Sequence, residues 1–322
     1  METCDCPLGC SPGERHVIEG FDRLHGSPGK WHVVECTTCG LRRTNPRPEP
    51  SAIGSHYPTN YGPFHVGASA GGARRSDFRG SLARVLREHI EFNDKIVPDM
   101  KPGRLLEVGC ATGDFLEKMS QKGWDVTGIE PSEFAANHAR AQGFNVHSGS
   151  LEAAPPPPDE YDLVVGWMVL EHLHQPVAAL RRLHEWTRPT ARLAISVPDA
   201  SGAEARLFGD AWYALQLPTH LFHYTPDSVC QVLEAGGWQV TRIVHQRTIS
   251  NAAVSLGYRI ADRWPDSRLA RALLDFPNRG SLHYLTFPLA AVLARVGQTG
   301  RMTIWAERTP TPEPGSTVEL RC

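Results

Sequence analysis

The sequence predicts an α/β fold, a mostly parallel sheet with helices on both faces, preceded by a small cysteine-rich module. Three observations predict it. Between Arg104 and Pro198, five apolar strand-like runs alternate with helical runs, the pattern of strand–helix–strand crossovers. The first of these runs, "LLEVGCATGDF" from Leu105 to Phe115, passes from a strand through a glycine-bearing turn into a helix. Five of the eight cysteines fall in the first 39 residues. In a reducing compartment such clustering reads as metal binding rather than as a disulfide framework.

With 322 residues the chain can bury one large core or two modest ones. A composition of 41% hydrophobic and 21% charged residues with a net charge of −2 argues against a nucleic-acid binder working through a basic face. The start, "METCDCPLGC", lacks the basic-then-apolar pattern of a secretory signal. The most apolar stretch, "YLTFPLAAVLARVG", falls short of the ~18–20 residues that a membrane span needs. The expectation is a cytoplasmic protein acting on a small molecule.

Taken in order, residues 1–50 form the cysteine-, glycine- and proline-rich module, with one strand-like run, "WHVVEC". Residues 51–76 read as a linker, because glycine, serine and alanine dominate their second half. The main domain is expected over 77–308. It opens with a helix at 77–97 whose apolar residues Leu82, Val85, Leu86 and Ile90 share one face, and Pro98 stops it. Strands follow at "RLLEVG", "DVTGIEP", "NVHSG", "YDLVVGWM" and "RLAISVP", with helices from Asp114 to Lys122, Glu133 to Gln142 and Pro176 to Trp186. The run Pro155–Pro158 is a loop, since proline cannot join a central strand. Beyond Pro198 come a loop-rich stretch ending in "LPTHLFHYT", the helix "PDSVCQVLEAGG" and the strand "WQVTRIVHQR". A helical insertion at about 252–296 and a closing strand, "RMTIWAER", complete the domain. Residues 309–322 have the composition of a disordered tail.

Glycines at a strand–helix turn let a ligand approach the backbone at a helix N-terminus. A dinucleotide site would place a third small residue where Asp114 stands. The spacing here is Glu107-x-Gly109-x-Ala111-x-Gly113, with Cys110 inside the turn and a carboxylate ahead of it. A carboxylate suits a cofactor carrying an ammonium and a sulfonium better than a pyrophosphate. Glu130, followed by Pro131, ends the second strand about twenty residues on, where an acid can accept from two ribose hydroxyls.

These residues resemble the first motifs of class I S-adenosylmethionine (SAM)-dependent methyltransferases, a Rossmann-like family. Ala111 stands in place of the family's middle glycine. The resemblance assigns adenine contacts to Ser150 and Leu151 in "SGSLEAA", and it matches "DLVVGWMVLEHLHQP", with Trp167, to the fourth strand and its continuation. It implies SAM as cofactor. Glu171 and His172 read either as cap and core groups or as substrate contacts. Replacing Glu130 by alanine is expected to weaken cofactor binding and spare the fold.

In the head, "CPLGC" and "CTTC" present Cys6, Cys10, Cys36 and Cys39, two short-spaced pairs that suit a closed, structural zinc site. Cys4 is an alternative to Cys6. The head resembles the zinc module that opens some of these enzymes, including deoxysugar C-methyltransferases, and "CGLRRTNPRP" followed by "HYPTNYGP" resembles its exit segment. That resemblance places Tyr57 and Tyr61 either in the pocket wall or as anchoring aromatics.

A methyl acceptor usually needs a base, and histidine is the commonest near pH 7. The stretch "PTHLFHYT" is similar to the His-Glu-His-Leu-Ser-Tyr-Phe-Ser segment of the sugar C-methyltransferases. His220 then matches the family's base, His223 falls on its tyrosine and Tyr224 on its phenylalanine, while Pro218 and Thr219 replace the leading pair. Carbon methylation of a ketosugar wants more than one polar partner for the enolate. Oxygen methylation needs one base, which His220 or His223 can supply; the bland alternative is that both histidines serve the following helix. The expected function is methylation of a sugar or glycoconjugate at O or C, with a quinone- or polyketide-type O-methyltransferase and a non-catalytic binding module as rivals. The insertion reads as a lid, a dimer face, a peripheral contact with a membrane, or ordinary packing.

Overall fold

A computed structural model describes residues 1–57, 96–278 and 280–310. The expected opening helix, Tyr61, most of the linker and nearly all of the tail lie outside the described residues.

Seven strands form the main sheet. They are β4 (Arg104–Val108), β5 (Asp125–Glu130), β6 (Asn145–Ser148), β7 (Tyr161–Trp167), β8 (Thr187–Pro198), β10 (Trp238–His245) and β11 (Arg301–Arg308). Their order is β10-β11-β8-β7-β4-β5-β6. Neighbours from β8 to β6 pair in parallel, whereas β11 runs antiparallel to both β8 and β10. The apolar runs are nearly continuous because both sheet faces are covered. Leu106, Val108, Val164 and Leu193 pack into one core and Leu105, Leu163, Val165 and Ala194 into the other.

Helices α1 (Asp114–Ser120), α2 (Glu133–Ala141) and α3 (Pro176–Glu185) connect the parallel strands. Each start has a local cause. Gly113 caps α1 at φ 92°, and a Cβ there would press within 3.1 Å of Ala139 and 3.2 Å of Phe144. Ser132 caps α2 by accepting the Ala135 N–H, and Pro176 opens α3. A short α4 (Ala203–Phe208) follows β8, and α5 (Pro226–Ala235) begins at a capping box between Thr225 and Ser228. The expected insertion forms α6 (Ser250–Arg263), α7 (Arg268–Leu274) and α8 (Gly280–Arg295), between β10 and β11.

The second, antiparallel sheet is built from the head. Its order is β1 (Glu14–Gly20), β2 (Trp31–Cys36), β3 (Arg42–Thr44) and β9 (Phe222–His223). Only β2 has an apolar pattern; β1 is mostly exposed and β3 reads as three polar residues. The last strand comes from the "LFHYT" stretch, paired as Arg42 opposite His223 and Arg43 opposite Phe222. Trp31 and Val33 also pack against Phe208, Trp212, Leu215 and Leu217, so the head is seated on the segment after β8.

Candidate active site

The strand order reverses direction between β4 and β7, and ligands of open parallel sheets bind outside the carboxyl ends at such a point. Glu107, buried, lies on β4 just ahead of the turn. Gly109 has φ 73°, and a Cβ there would meet Val169 at 2.6 Å. Ala111 adopts φ 46° without being glycine, so the turn takes a left-handed step there at some cost in strain. Glu130, at the end of β5, accepts the Ala111 N–H on one oxygen and the Ser132 N–H on the other, both at 2.8 Å. Burial raises its pKa, and these two N–H groups oppose the rise.

The other predicted cofactor residues gather at the same edge through backbone position more than through side chains. The Cys110 thiol is buried in the core, where a Cβ on Gly128 would strike it. Leu151 is likewise a core residue, Ser150 is exposed, and the Gly149 N–H ties this turn to the Glu130 carbonyl at 2.9 Å. Pro131 is exposed beside Glu130. Trp167 closes β7, edge-on to Phe115 at 5.2 Å, with its buried Nε1 lacking a hydrogen-bond partner among the described residues. A glycine-walled cradle between two acids suits a cofactor with cationic and ribose groups; these residues fit SAM.

Across the crevice, at the end of β7, a second cluster forms. Ligand atoms of Glu171, His172 and His220 lie within 4.8 Å of one another. His220 Nδ1 is 2.8 Å from the Ala214 carbonyl, and His172 Nδ1 is 2.9 Å from the Thr219 carbonyl and 3.0 Å from the Tyr57 hydroxyl. Carbonyl oxygens only accept, so both Nδ1 atoms carry hydrogen and both Nε2 atoms keep a lone pair. The rings meet edge-on with centroids 4.7 Å apart. Glu171 is completely buried, and neither of its oxygens has a hydrogen-bond partner among the described residues. This set can move a proton, and the same lone pairs can hold a divalent cation.

Two of the three predicted catalytic residues are placed elsewhere. His223 is buried against the head, 3.1 Å from Thr44 Oγ1. Because Thr44 spends its own hydroxyl hydrogen on the His220 carbonyl at 2.7 Å, His223 Nε2 donates to it. Tyr224 is fully buried in the core, its hydroxyl directed at the Leu170 carbonyl at 3.4 Å. Both serve packing between head and sheet. Sequence reasoning missed Thr44, whose importance arises only from the β3–β9 pairing.

Burial sets the protonation of this region. It raises Glu171 to about 8 and Glu204 to about 7, and it lowers His172 to about 4, His223 to about 3 and His220 well below 6.5. Below pH 6.5 the unfolded chain protonates histidines that the fold keeps neutral, so stability falls as pH falls. Above pH 4.5 the unfolded chain releases carboxyl protons that the fold retains, so the glutamates lower stability as pH rises towards 8. Between pH 4.5 and 6.5 three histidines oppose the raised glutamates Glu130, Glu171 and Glu204 and the net slope is shallow. Below 4.5 the histidines lose stability together with the arginine-paired carboxylates Glu35 and Asp210, whose pKa values are lowered. The melting temperature is therefore expected to peak near pH 6.5, decline gently above it and drop steeply below 4.5. A pH series of thermal melts checks this, and stability still climbing above pH 7 contradicts it.

In the head, the sulfurs of Cys6, Cys10, Cys36 and Cys39 lie within 4.8 Å of one another, with Cys6 and Cys39 3.5 Å apart. A tetrahedral zinc–thiolate site, with bonds near 2.3 Å, separates its sulfurs by ~3.8 Å. Gly40 supplies the left-handed turn of the knuckle at φ 74°, its N–H on the Cys36 carbonyl at 2.9 Å. Burial disfavours the Cys36 thiolate, but N–H groups of Cys39 and Thr38 outweigh it and bring the thiol to about 7. Cys4 lies outside the set, its own N–H on Asn45. The donor set fits zinc.

A reversed strand at one end of a parallel sheet, a glycine cradle and an acid after the second strand define a nucleoside-cofactor enzyme. The chain belongs to the methyltransferase-domain family, which it matches over residues 78–243, and it is a class I SAM-dependent methyltransferase. It is similar to the ubiquinone biosynthesis O-methyltransferase of Aeromonas salmonicida, with 31% identity over 163 residues that cover 46% of this chain and 68% of that protein. The enzyme of the same description from Sinorhizobium medicae is 26% identical over 182 residues, covering 55% and 68%. In the Pseudomonas aeruginosa PA14 counterpart, at 31% identity, the match covers 35% of this chain and 53% of the relative. A solved SAM-dependent methyltransferase from Mesorhizobium loti overlays with a TM-score of 0.43 and 17% identity, covering 66% of this chain and 94% of that one. No helix among the described residues is long and apolar enough to cross a membrane.

Proposed function

We propose that the protein transfers the methyl group of SAM to a hydroxyl of a small polar acceptor, a sugar or glycoconjugate, with His220 as the base. The observation that carries the reading is the pair of imidazoles whose Nδ1 atoms are committed to carbonyls while Nε2 keeps its lone pair beside buried Glu171. Gly109, Cys110, Ala111 and Gly113 would hold SAM by backbone, Glu107 and Glu130 by charge, and Pro131, Ser150, Leu151 and Trp167 along its nucleoside side. Bound there, SAM supplies a strongly electrophilic methyl group. The chain's task is orientation and proton removal. His220 Nε2 takes the hydroxyl proton as the oxygen reacts, His172 sets the angle of His220, and the protonated Glu171 carboxyl completes the polar wall without adding charge.

Cys6, Cys10, Cys36 and Cys39 hold a structural zinc in this reading, because four thiolates leave no open position for chemistry. Elemental analysis is expected to find one zinc per chain. Chelation should lower the melting temperature by about 5–10 °C. An unchanged melt after complete metal removal counts against a structural role.

A second acceptor class, a quinone or other flat aromatic, is favoured by the description of the relatives. The experiment that separates them is transfer from methyl-labelled SAM to fractionated host extract, followed by solvent partition. Label in the water-soluble or lipid-linked glycan fraction supports the sugar reading. Label in a neutral aromatic fraction supports the second. Cofactor binding with no labelled fraction favours a binding module.

A further inference from the structure

The insertion ends in a helix whose outer side is apolar. Leu285, Leu289 and Val292 of α8 and Val296 just beyond it are exposed to 77%, 55%, 61% and 61%. At 3.6 residues per turn their spacing sets them within about 60° of one another, in one stripe. The helical turn continues to Val296, whose N–H reaches the Leu293 carbonyl at 3.2 Å. Ala290, about 140° round the helix from Leu285, is 1% exposed. The side turned away from the stripe is therefore the one that packs, and it meets β10. Among the described residues eleven large apolar side chains are exposed, and seven of them belong to this insertion. Exposed apolar residues scattered singly are ordinary; a contiguous stripe marks a binding face.

Charge indicates what covers the stripe. Residues 252–296 contain six arginines and three aspartates, with neither lysine nor glutamate, a net +3 in a chain whose net charge is −2. Arg259 and Asp262 are spent on Asp210 and Arg23. Arg263, Arg268, Arg271 and Arg295 are exposed, against Asp266 and Asp275. Helix α8 has no carboxylate, and its one formal charge, Arg295, stands at the flank of the stripe near Val296. Trp264 is exposed with the Arg263 guanidinium 5.6 Å from its ring. Tryptophan is enriched where a bilayer meets water, with its ring at the headgroup level.

A lipid surface and a second copy of the chain could each cover an apolar stripe, and charge separates them. A two-fold dimer sets the same patch against itself. Two net-positive insertions would then face each other, with no acid on α8 to pair with Arg295. An anionic bilayer takes the stripe into its headgroup boundary without desolvating a carboxylate, and its phosphates attract the arginines. We infer that α8 docks the enzyme on an anionic membrane surface, with Leu285, Leu289, Val292 and Val296 in the headgroup boundary and the insertion's arginines on lipid phosphates. The contact is peripheral, because α8 has 16 residues and a span needs about 20. The inference stands whether the acceptor is a glycan or a quinone.

The test is flotation of the zinc-loaded full chain with vesicles of phosphatidylcholine alone or mixed with phosphatidylglycerol, beside sedimentation of the lipid-free protein. The wild-type chain should bind the mixed vesicles about tenfold more tightly than the neutral ones. It should lose most of that preference near 1 M salt, where the Debye length is ~3 Å. Leu285→Gln with Leu289→Gln should weaken binding to the mixed vesicles about tenfold. Leu207→Gln, at an exposed apolar position outside the insertion, should leave it unchanged. Melting temperature and SAM affinity should match wild type in both, because the replaced side chains face solvent. Should the glutamine pair melt lower, Val292→Thr with Val296→Thr, which keeps side-chain shape, reads the same loss in a smaller degree. No binding of wild type to the mixed vesicles, or equal binding by wild type and both double variants, overturns the inference. So does a lipid-free dimer that Leu285→Gln with Leu289→Gln converts to monomer, since the stripe is then a face between copies.

Discussion

Glu130→Ala is expected to weaken SAM binding about 100-fold, the loss of ~3 kcal/mol from two charge-assisted hydrogen bonds to ribose hydroxyls. Calorimetry with SAM reads it directly. The structure also revises the expectation that the fold would be spared. Glu130 accepts the N–H groups of Ala111 and Ser132, one from the turn after β4 and one from the turn after β5. Alanine leaves both donors without this acceptor at a buried position, at a cost of about 1–3 kcal/mol each. The melting temperature should therefore fall together with affinity. Glu130→Gln separates the two effects, because its remaining oxygen still accepts one N–H; it should lose about tenfold in affinity with a smaller drop in stability. Full affinity in a folded Glu130→Ala protein would remove Glu130 from the cofactor site.

His220→Asn is expected to lower kcat by a factor of about 10²–10⁴, the usual contribution of a positioned base. Asparagine retains an N–H for the Ala214 carbonyl that His220 Nδ1 serves, so the loop should hold its shape. SAM affinity should stay within about twofold, since a change of that size is under 0.5 kcal/mol. His223→Ala is the informative contrast. It removes the donor to Thr44, whose hydroxyl in turn holds the His220 carbonyl, and so should cost stability first and rate second. If His220→Asn turns over at the wild-type rate while His223→Ala does not, the two histidines have been assigned the wrong way round.

The strand–turn–helix junctions that carry the expected cofactor residues were largely legible because their geometry is local. Gly109, Gly113 and Glu130 sit at strand–turn–helix junctions, and those junctions of a parallel sheet all open towards one edge. The alternation of strands and helices then determined the sheet, since apolar runs covered on both faces admit little else. The four thiols in the head were equally readable, because each pair lies within a few residues and one glycine turn.

What only the tertiary structure decided was which of the remaining polar residues meet. His220 and His223 are three residues apart and look alike as candidates, yet one faces Glu171 and His172 while the other faces Thr44. The division follows from β9 pairing with β3, a contact between segments far apart in the chain and too short to leave a periodic signal. Glu204, Asn251 and Arg301 are likewise unremarkable in sequence, and only the packing of α4, α6 and β11 at the end of β8 brings them together around Gly300. Backbone rules act over a few residues and can be read along the chain. The partners of a buried polar side chain are chosen by the whole fold, as the separate partners of His220 and His223 show.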